Sequence, residues 1–573
     1  MRKLSLMLGL VAGLTLAAAG AHATPGWRKA KPVTSHHAMV VTAQHLATHV
    51  GVNILKEGGN AVDAAVAVGY ALAVVHPCCG NIGGGGFMTI HLANGKNLFL
   101  NFREKAPLAA SHNMYLDKHG NLVQGRSLWT YLAVGVPGTV MGLNEALKKY
   151  GTMTRAQVMK PAIKLARDGY ILKPGDVKIM HEAYKYCKPH AVCDKAFFHD
   201  SKGNFYKAGE RLVQPQLAKS LELIEKEGDK AFYDGPIARK IVADSNKRGG
   251  ILTMKDFHDY SVEWEKPIKC DYRGYTIISA PPPSSGGVTM CEIFNVLSGY
   301  PLAKRPFHSA ANVHDMAEAM RFAYADRNKF LGDPDFVHNP IDKLLSPKHA
   351  AWIRSQIKPN RATPSKNVHG TLASYEGTDT TQYSIADSKG DAVSVTYTLN
   401  AFFGSGIIAP GTGFFLNDEM NDFSVKPGSP NMFGLVQGEA NAVAPGKRPL
   451  SSMSPSIVLR NGKLFMVTGS PGGSRIITIT LETILNVVDH GMNVQQAVDA
   501  PRIHQQWLPP YVELEPHALS PKVKAKLEKM GYTFKTMGPW GAAEAIRVLE
   551  SGKSRLLEGA NDGRRPAGLA SGY

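Results

Sequence analysis

The chain has 573 residues, 44% of them hydrophobic and 20% charged, with a formal net charge of +18. That length exceeds one ordinary domain, and the composition excludes an intrinsically disordered chain. Lys and Arg are dispersed with no basic block, which argues against a nucleic-acid binder and leaves a field that favours anionic small substrates.

Residues 1–23, "MRKLSLMLGLVAGLTLAAAGAHA", combine a basic start, an apolar stretch and a small-x-small end at Ala21-His22-Ala23. This predicts a secretory signal peptide cut after Ala23, and a periplasmic or secreted mature protein. No later stretch approaches the ~18 uninterrupted apolar residues of a spanning helix, so no membrane span is expected in the mature form. An oxidising compartment gives the six cysteines, Cys78, Cys79, Cys187, Cys193, Cys270 and Cys291, a disulfide context. Cys187 and Cys193 flank the short loop "KPHAV" and form a candidate local bridge, whereas adjacent Cys78 and Cys79 do not bond easily to each other. Paired CxxC motifs are absent, and no metal site is expected.

In chain order, residues 40–75 read as helix with a break at Gly58-Gly59. Gly83 to Gly86 lead into an alternating strand, a turn at Asn94-Gly95 and a second strand ending on Arg103. Residues 137–260 read as mainly helical. "DYRGYTIISAPPPSSGG" reads as a strand running into a proline-rich turn, and "SAANVHDMAEAMRFAYADRNKFL" as a long helix with serine near its start. Residues 360–379 are polar and aperiodic, which predicts an exposed loop. Residues 380–475, including "FFLND" and "SIVLRNGKLFMVTGS", read as strand-rich, and a helix follows at "SRIITITLETILNVVDHG". The pattern is that of an α/β protein with antiparallel hairpins, in two parts meeting near residue 379.

Residues 380–400 carry the most specific local signal. Ser388-Lys389-Gly390 supplies a three-residue hairpin loop with glycine last, which pairs Asp387 with Asp391. Counting back along both strands sets Thr380 opposite Thr398, with Asn400 on the same face. Threonine pairs are ordinary in strands. A threonine at a free N-terminus, however, is a nucleophile with its own α-amine as base, and that amine titrates at about 7.7–8.0. The chemistry requires the Asp379–Thr380 bond to be cut.

"TDTTQYSIAD", "VSVTYTLN", "PLSSMSPSIV" and "TGSPGGSRIITI" together resemble the γ-glutamyltranspeptidase family. Upstream, "GGNAVDAAVAVGYALAVVHP", "GNIGGGGFM", "NFREKAP", "PPPSSGG", "AYADRNKFLGDPDF" and, downstream, "DAPRIHQQWLP" extend the resemblance from about residue 38 to the end. It implies an N-terminal-nucleophile hydrolase fold, a four-layer αββα sandwich. It also implies a precursor that cuts itself before Thr380, giving a large subunit of residues 24–379 and a small one of residues 380–573 in one αββα unit.

By motif match, Thr380 is the nucleophile and Thr398 its hydrogen-bonding partner. Gly472 and Gly473 are the oxyanion-hole glycines, at a strand-to-helix turn where backbone N–H groups can meet an oxyanion. Arg103, Ser451 and Ser452 match the residues that hold the α-carboxylate of a γ-glutamyl donor; Asn400, Glu419 and Asp422 match those around its α-ammonium. Phe433 falls where many members carry a tyrosine on a loop over the pocket, a departure that keeps an apolar lid and drops a hydroxyl. The resemblance implies glutathione or other γ-glutamyl donors, amino acid or peptide acceptors, and neither cofactor nor metal.

Three alternatives are kept. A glutaryl or cephalosporin acylase on the same fold is opposed by retention of Glu419 and Asp422, since its substrate lacks the α-ammonium. A nucleotide-binding protein rests only on the loose G-x-G-x-x-A match at Gly404 to Ala409, with no helix predicted after it. A non-catalytic exported binding protein would never expose Thr380 as an N-terminus.

Overall fold

The computed structural model describes residues 26–188, 195–368, 380–552 and 554–573. Among these residues the strands form two seven-stranded sheets that pack face to face between helical layers. The first sheet runs Leu569–Gly572, Met39–Thr42, Thr381–Ala386, Ala392–Thr398, Gly85–His91, Asn97–Phe102 and Glu263–Glu265. The second runs Val33–Ser35, Ser554–Asn561, Glu544–Ser551, Lys463–Thr468, Ser456–Arg460, Tyr275–Ser279 and Ile268–Tyr272. Strands from both sides of Thr380 contribute to each sheet, so neither part owns a complete sheet. No helix among the described residues is long and apolar enough to cross a membrane.

Between the sheets lies an aliphatic layer that includes Met39, Val41, Ile278, Ile457, Val467 and Ile546. The outer faces bury two larger cores under helices. The helix Ala61–Val75 is apolar on all sides and every residue of it is buried, as a helix enclosed by other elements must be. Asn60 caps it in a capping box with Asp63. It crosses the back of the threonine hairpin closely: Tyr397 Oη donates to Gly69 O at 2.9 Å, and a Cβ on Gly69 would lie 2.9 Å from Tyr383 Oη.

Several sequence expectations need correction. Met39–Thr42 is a central strand, not helix; "MVVT" is too short for periodicity to separate the two, and all four residues are buried. "DYRGYTIIS" spans two strands, joined by Arg273 and Gly274 at φ 49° and 83°, a two-residue hairpin turn. "FFLND" is no strand. It belongs to a loop region whose only regular elements between Thr398 and Ser456 are short 3₁₀ turns, and it is pinned by Asn417, which bonds Gly83 O and Gly135 O. Of the polar segment 360–379, residues 369–379 lie outside the described residues, as does Cys193 of the expected Cys187–Cys193 bridge. A disulfide the sequence reading did not foresee joins Cys270 to Cys291.

Candidate active site

The hairpin register is the one predicted. Thr381 pairs with Tyr397 and Ala386 with Ala392, and Asp387 N–H donates to Asp391 O at 3.0 Å. One residue beyond the ladder, Thr380 and Thr398 face each other with their hydroxyl oxygens 3.2 Å apart, both side chains buried. Thr398 Oγ1 also accepts the Asn400 N–H at 2.9 Å, and Arg565 Nη1 donates to Thr380 O at 2.8 Å. The glycine run allows this end of the sheet to close. A Cβ on Gly84 would lie 2.0 Å from Thr398 O, which is backbone and cannot move aside. Asn81 fixes the same corner by donating to Thr398 O and accepting from Gly84 N–H.

After Thr398 the chain reverses through Asn400 at φ 74°, a left-handed conformation that asparagine tolerates. Its side-chain amide donates to Asp418 O and Oδ2 at 3.1 and 3.2 Å. The following loop returns as the 3₁₀ turn Glu419–Asp422. Arg103, just past the strand Asn97–Phe102, meets that turn. Its Nη1 donates to Glu419 Oε1, its Nη2 to Asp422 Oδ2 at 2.5 Å, and its Nε to Pro449 O at 3.1 Å. The expected carboxylate-binding arginine and ammonium-binding acids are therefore in direct contact, 316 and 319 positions apart in sequence.

A third carboxylate completes the cluster. Glu104 Oε2 is 3.6 Å from Arg103 Nη1, and both Glu104 oxygens are buried with no hydrogen-bond partner. Burial works against the Arg103 charge, but Glu419, Asp422 and Glu104 more than offset it and hold the guanidinium above the ordinary arginine range. One cation does not neutralise three buried carboxylates. Burial raises Glu104 to about 7 against the pull of Arg103. Burial also raises Glu419, with Glu104, Asp422 and Asp418 adding to it. Breaking such a buried pair by removing one partner costs about 3–5 kcal/mol, because it strands the other charge.

Opposite this cluster, the "PPPSSGG" and "PLSSMSP" motifs meet: Ser451 N–H donates to Pro283 O, and Ser285 N–H to Ser451 O, each at 2.8 Å. Ser451 Oγ accepts the Met453 N–H at 3.0 Å, and Ser452 Oγ accepts from Arg327 Nη2 at 3.2 Å. Gly472 and Gly473 take φ 144° and 57° and open the turn Gly473–Arg475, which continues into the helix Ile476–Val488. Phe433 is held by its N–H to Asn431 Oδ1 at 2.9 Å and by Gln506, which donates to its carbonyl.

One cavity brings these positions together. Arg103, Thr380, Thr398, Asn400, Glu419, Asp422, Phe433, Ser451, Ser452 and Gly473 all line it. Gly472 does not line it but immediately precedes Gly473, and Asp379 lies outside the described residues. A wider groove lined by Lys266, Lys269 and His338 contains none of the set. Sequence reasoning missed Arg327, Glu104 and Arg565. Arg327 lines the cavity, buried, and burial lowers it to about 10. Its only sequence signal is its place in "AYADRNKFL". Cys78 and Cys79, unexplained in the sequence, are buried beside this corner with their sulfurs 2.7 Å apart; Arg565 Nη1 is 4.0 Å from Cys79 Sγ.

The gamma-glutamyltranspeptidase family model matches residues 47–572. The glutathione hydrolase proenzyme of Pseudomonas sp. (strain A14) is 55% identical over 551 residues, covering 95% of each chain. That of Escherichia coli (strain K12) is 48% identical over 543 residues, covering 95% of this chain and 93% of the relative. Among solved structures, cephalosporin acylase from Bacillus halodurans superposes with TM-score 0.82 at 27% identity, covering 98% of this chain and 99% of that one. The gamma-glutamyltranspeptidase of Helicobacter pylori superposes with TM-score 0.55 at 48% identity, covering 56% of this chain and 93% of that one. With the αββα sandwich in place and a near-full-length match to the family model, the chain belongs to the γ-glutamyltranspeptidase family, enzymes of the glutathione hydrolase and γ-glutamyltransferase class.

Proposed function

We propose that the protein is an exported, self-processing γ-glutamyltranspeptidase whose nucleophile is Thr380. The observation that carries the reading is the 3.2 Å pairing of the Thr380 and Thr398 hydroxyls on the wall of the cavity that also holds Arg103, Glu419 and Asp422. In processing, Thr380 Oγ attacks the carbonyl carbon of Asp379. The peptide nitrogen leaves as the α-amine of Thr380, and water opens the resulting ester, leaving Asp379 as a C-terminal carboxylate. Residues 24–379 and 380–573 then remain together as two subunits, because their strands share both sheets.

In turnover, the freed α-amine takes the Thr380 hydroxyl proton as Oγ attacks the γ-carbonyl of the donor. Thr398, itself anchored by the Asn400 N–H, orients that hydroxyl. The carbonyl oxygen becomes an oxyanion beside the backbone of Gly472 and Gly473. Collapse expels the donor's amine, which receives the proton, and leaves a γ-glutamyl ester on Thr380. Water releases glutamate; an acceptor amine gives a new γ-glutamyl amide. Arg103 with Ser451 and Ser452 holds the donor's α-carboxylate, its planar fork suiting a bidentate pair. Glu419, Asp422 and Asn400 hold the α-ammonium. Glutathione and related γ-glutamyl compounds meet this pattern.

A glutaryl acylase reading is favoured by the likeness to the Bacillus halodurans acylase, but the acidic turn Glu419–Asp422 has no cation to meet on a glutaryl group. The test is release of p-nitroaniline from γ-glutamyl and glutaryl anilides by the wild type and by Thr380→Ala. The reading predicts strong preference for the γ-glutamyl compound and no turnover by the variant. Preference for the glutaryl compound would support the acylase instead.

A further inference from the structure

Two arginines line the cavity that holds Thr380, and their partners differ in kind. Arg103 is gripped by the carboxylates of Glu419 and Asp422, and its Nε donates to Pro449 O at 3.1 Å. Arg327, on the helix Ala310–Phe330, is 1% exposed and bonds only neutral groups among the described residues. Its Nε donates to Ser285 Oγ at 2.9 Å, and its Nη2 to Ser452 Oγ at 3.2 Å. Its Nη1 donates to Asn328 Oδ1 at 2.8 Å and to Gln437 Oε1 at 3.2 Å. The charge of Asp422 reaches it at longer range, but that carboxylate is paired with Arg103 Nη2 at 2.5 Å. A guanidinium has five N–H groups, so these four bonds leave one N–H on Nη2, the nitrogen that bonds Ser452.

The serines beside Arg327 are set as donors too. Ser451 Oγ accepts the Met453 N–H at 3.0 Å, and Ser452 Oγ accepts from Arg327. Neither hydroxyl has an acceptor among the described residues, so each has its proton to give. Arg327 fixes both. It bonds Ser452 directly, and it bonds Ser285, whose Oγ donates to Ser451 O at 2.6 Å. A neutral side chain could supply much of this bonding without burying a charge. Burial without an anion works against the guanidinium and lowers it to about 10. Two O–H groups, one N–H and a cation without an ion-pair partner on one wall match a carboxylate, which accepts on both oxygens.

We propose that Arg327 is the second cation of the subsite for the donor's α-carboxylate and binds that group together with Ser451 and Ser452. This rests on the γ-glutamyl reading of the cavity. Arg103 gives its charge to buried Glu419, Asp422 and Glu104, so Arg327 supplies what Arg103 cannot. Arg327 thereby sets donor affinity and takes no part in proton transfer.

The test compares purified wild type, Arg327→Lys and Arg327→Met. Release of p-nitroaniline from the γ-glutamyl anilide gives KM and kcat; calorimetry gives the affinity for free L-glutamate without turnover. Loss of a charge-assisted contact predicts a donor KM raised at least about tenfold in Arg327→Met, with kcat within about threefold of wild type. Arg327→Lys keeps the charge and loses the planar fork, so its KM should rise at least about threefold and stay below that of Arg327→Met. Glutamate binding should weaken in the same order. Because Arg327→Lys keeps a cation at the same place, it decides the question if Arg327→Met does not fold. A wild type that binds glutamate but releases no aniline would sink the enzyme reading, and calorimetry of Arg327→Lys would still decide this inference. Glutamate bound equally by wild type and Arg327→Lys, no glutamate binding by the wild type, or a fall in kcat at constant KM overturns it.

Discussion

Thr380 and Thr398 stand opposite each other one residue past the end of their ladder, with hydroxyl oxygens 3.2 Å apart. The Asn400 N–H reaches Thr398 Oγ1 at 2.9 Å, so the Thr398 hydroxyl is itself fixed by backbone. Thr398→Val keeps the shape and removes the hydroxyl. The account predicts a fall in kcat of about 10²-fold, the lower end of the range for a group that assists proton transfer, with KM changed little. Thr398→Ser should recover most of the rate. A KM effect with kcat intact would place Thr398 in binding instead.

Glu104 gives a pH prediction. Burial raises its carboxyl to about 7 in the folded protein, whereas in the unfolded chain it titrates near the ordinary ~4.3. The folded state therefore holds a proton that the unfolded chain has released. This group's contribution to stability is complete below about 4.3 and is lost as pH rises through about 7. Glu104→Gln removes the titration. Between pH 5 and pH 8 the wild-type melting temperature should fall more than that of the variant, by roughly a few degrees. Parallel curves would mean that Glu104 does not carry the proton.

The threonine pair was legible in the sequence because a hairpin loop ending in Gly390 fixes register, and register fixes which side chains meet. The contact of Arg103 with Glu419 and Asp422 was not legible: the family resemblance assigned them to opposite ends of one substrate, and only the fold sets them against each other. Glu104 beside an arginine reads as a surface pair until the fold buries it. Met39–Thr42 was misread because so short a stretch fits either period, and "FFLND" because a short apolar run without a partner strand is not a strand. Cysteine spacing carries no connectivity, so Cys270 and Cys291 could not be paired.

That disulfide joins the strand Ile268–Tyr272 to the helix Gly286–Leu297 across 21 positions. Loop-closure entropy for such a loop amounts to about 3 kcal/mol. The double variant Cys270→Ser, Cys291→Ser should lose about that much in urea unfolding, with the unfolding slope increased if the unfolded chain expands. An unchanged midpoint would show that the bridge does not constrain the unfolded state.

Phe433 is 5% exposed and lines the cavity that holds Thr380 and Arg103. Phe433→Tyr adds a hydroxyl at its rim. One neutral hydrogen bond is worth about 0.5–1.5 kcal/mol, so donor KM should fall roughly two- to tenfold, and the ratio of transfer to hydrolysis should change. Paired assays with and without glycylglycine measure it. An identical ratio would remove Phe433 from the control of acceptor against water.

The central claim is that Thr380 becomes an N-terminus, and the intact mass of the purified mature protein tests it most directly. The account predicts two polypeptides, residues 24–379 and a smaller one beginning at Thr380, and a single uncut chain for Thr380→Ala. A wild-type chain that stays whole on prolonged incubation would contradict it, since the threonine would then have no α-amine to serve as its base.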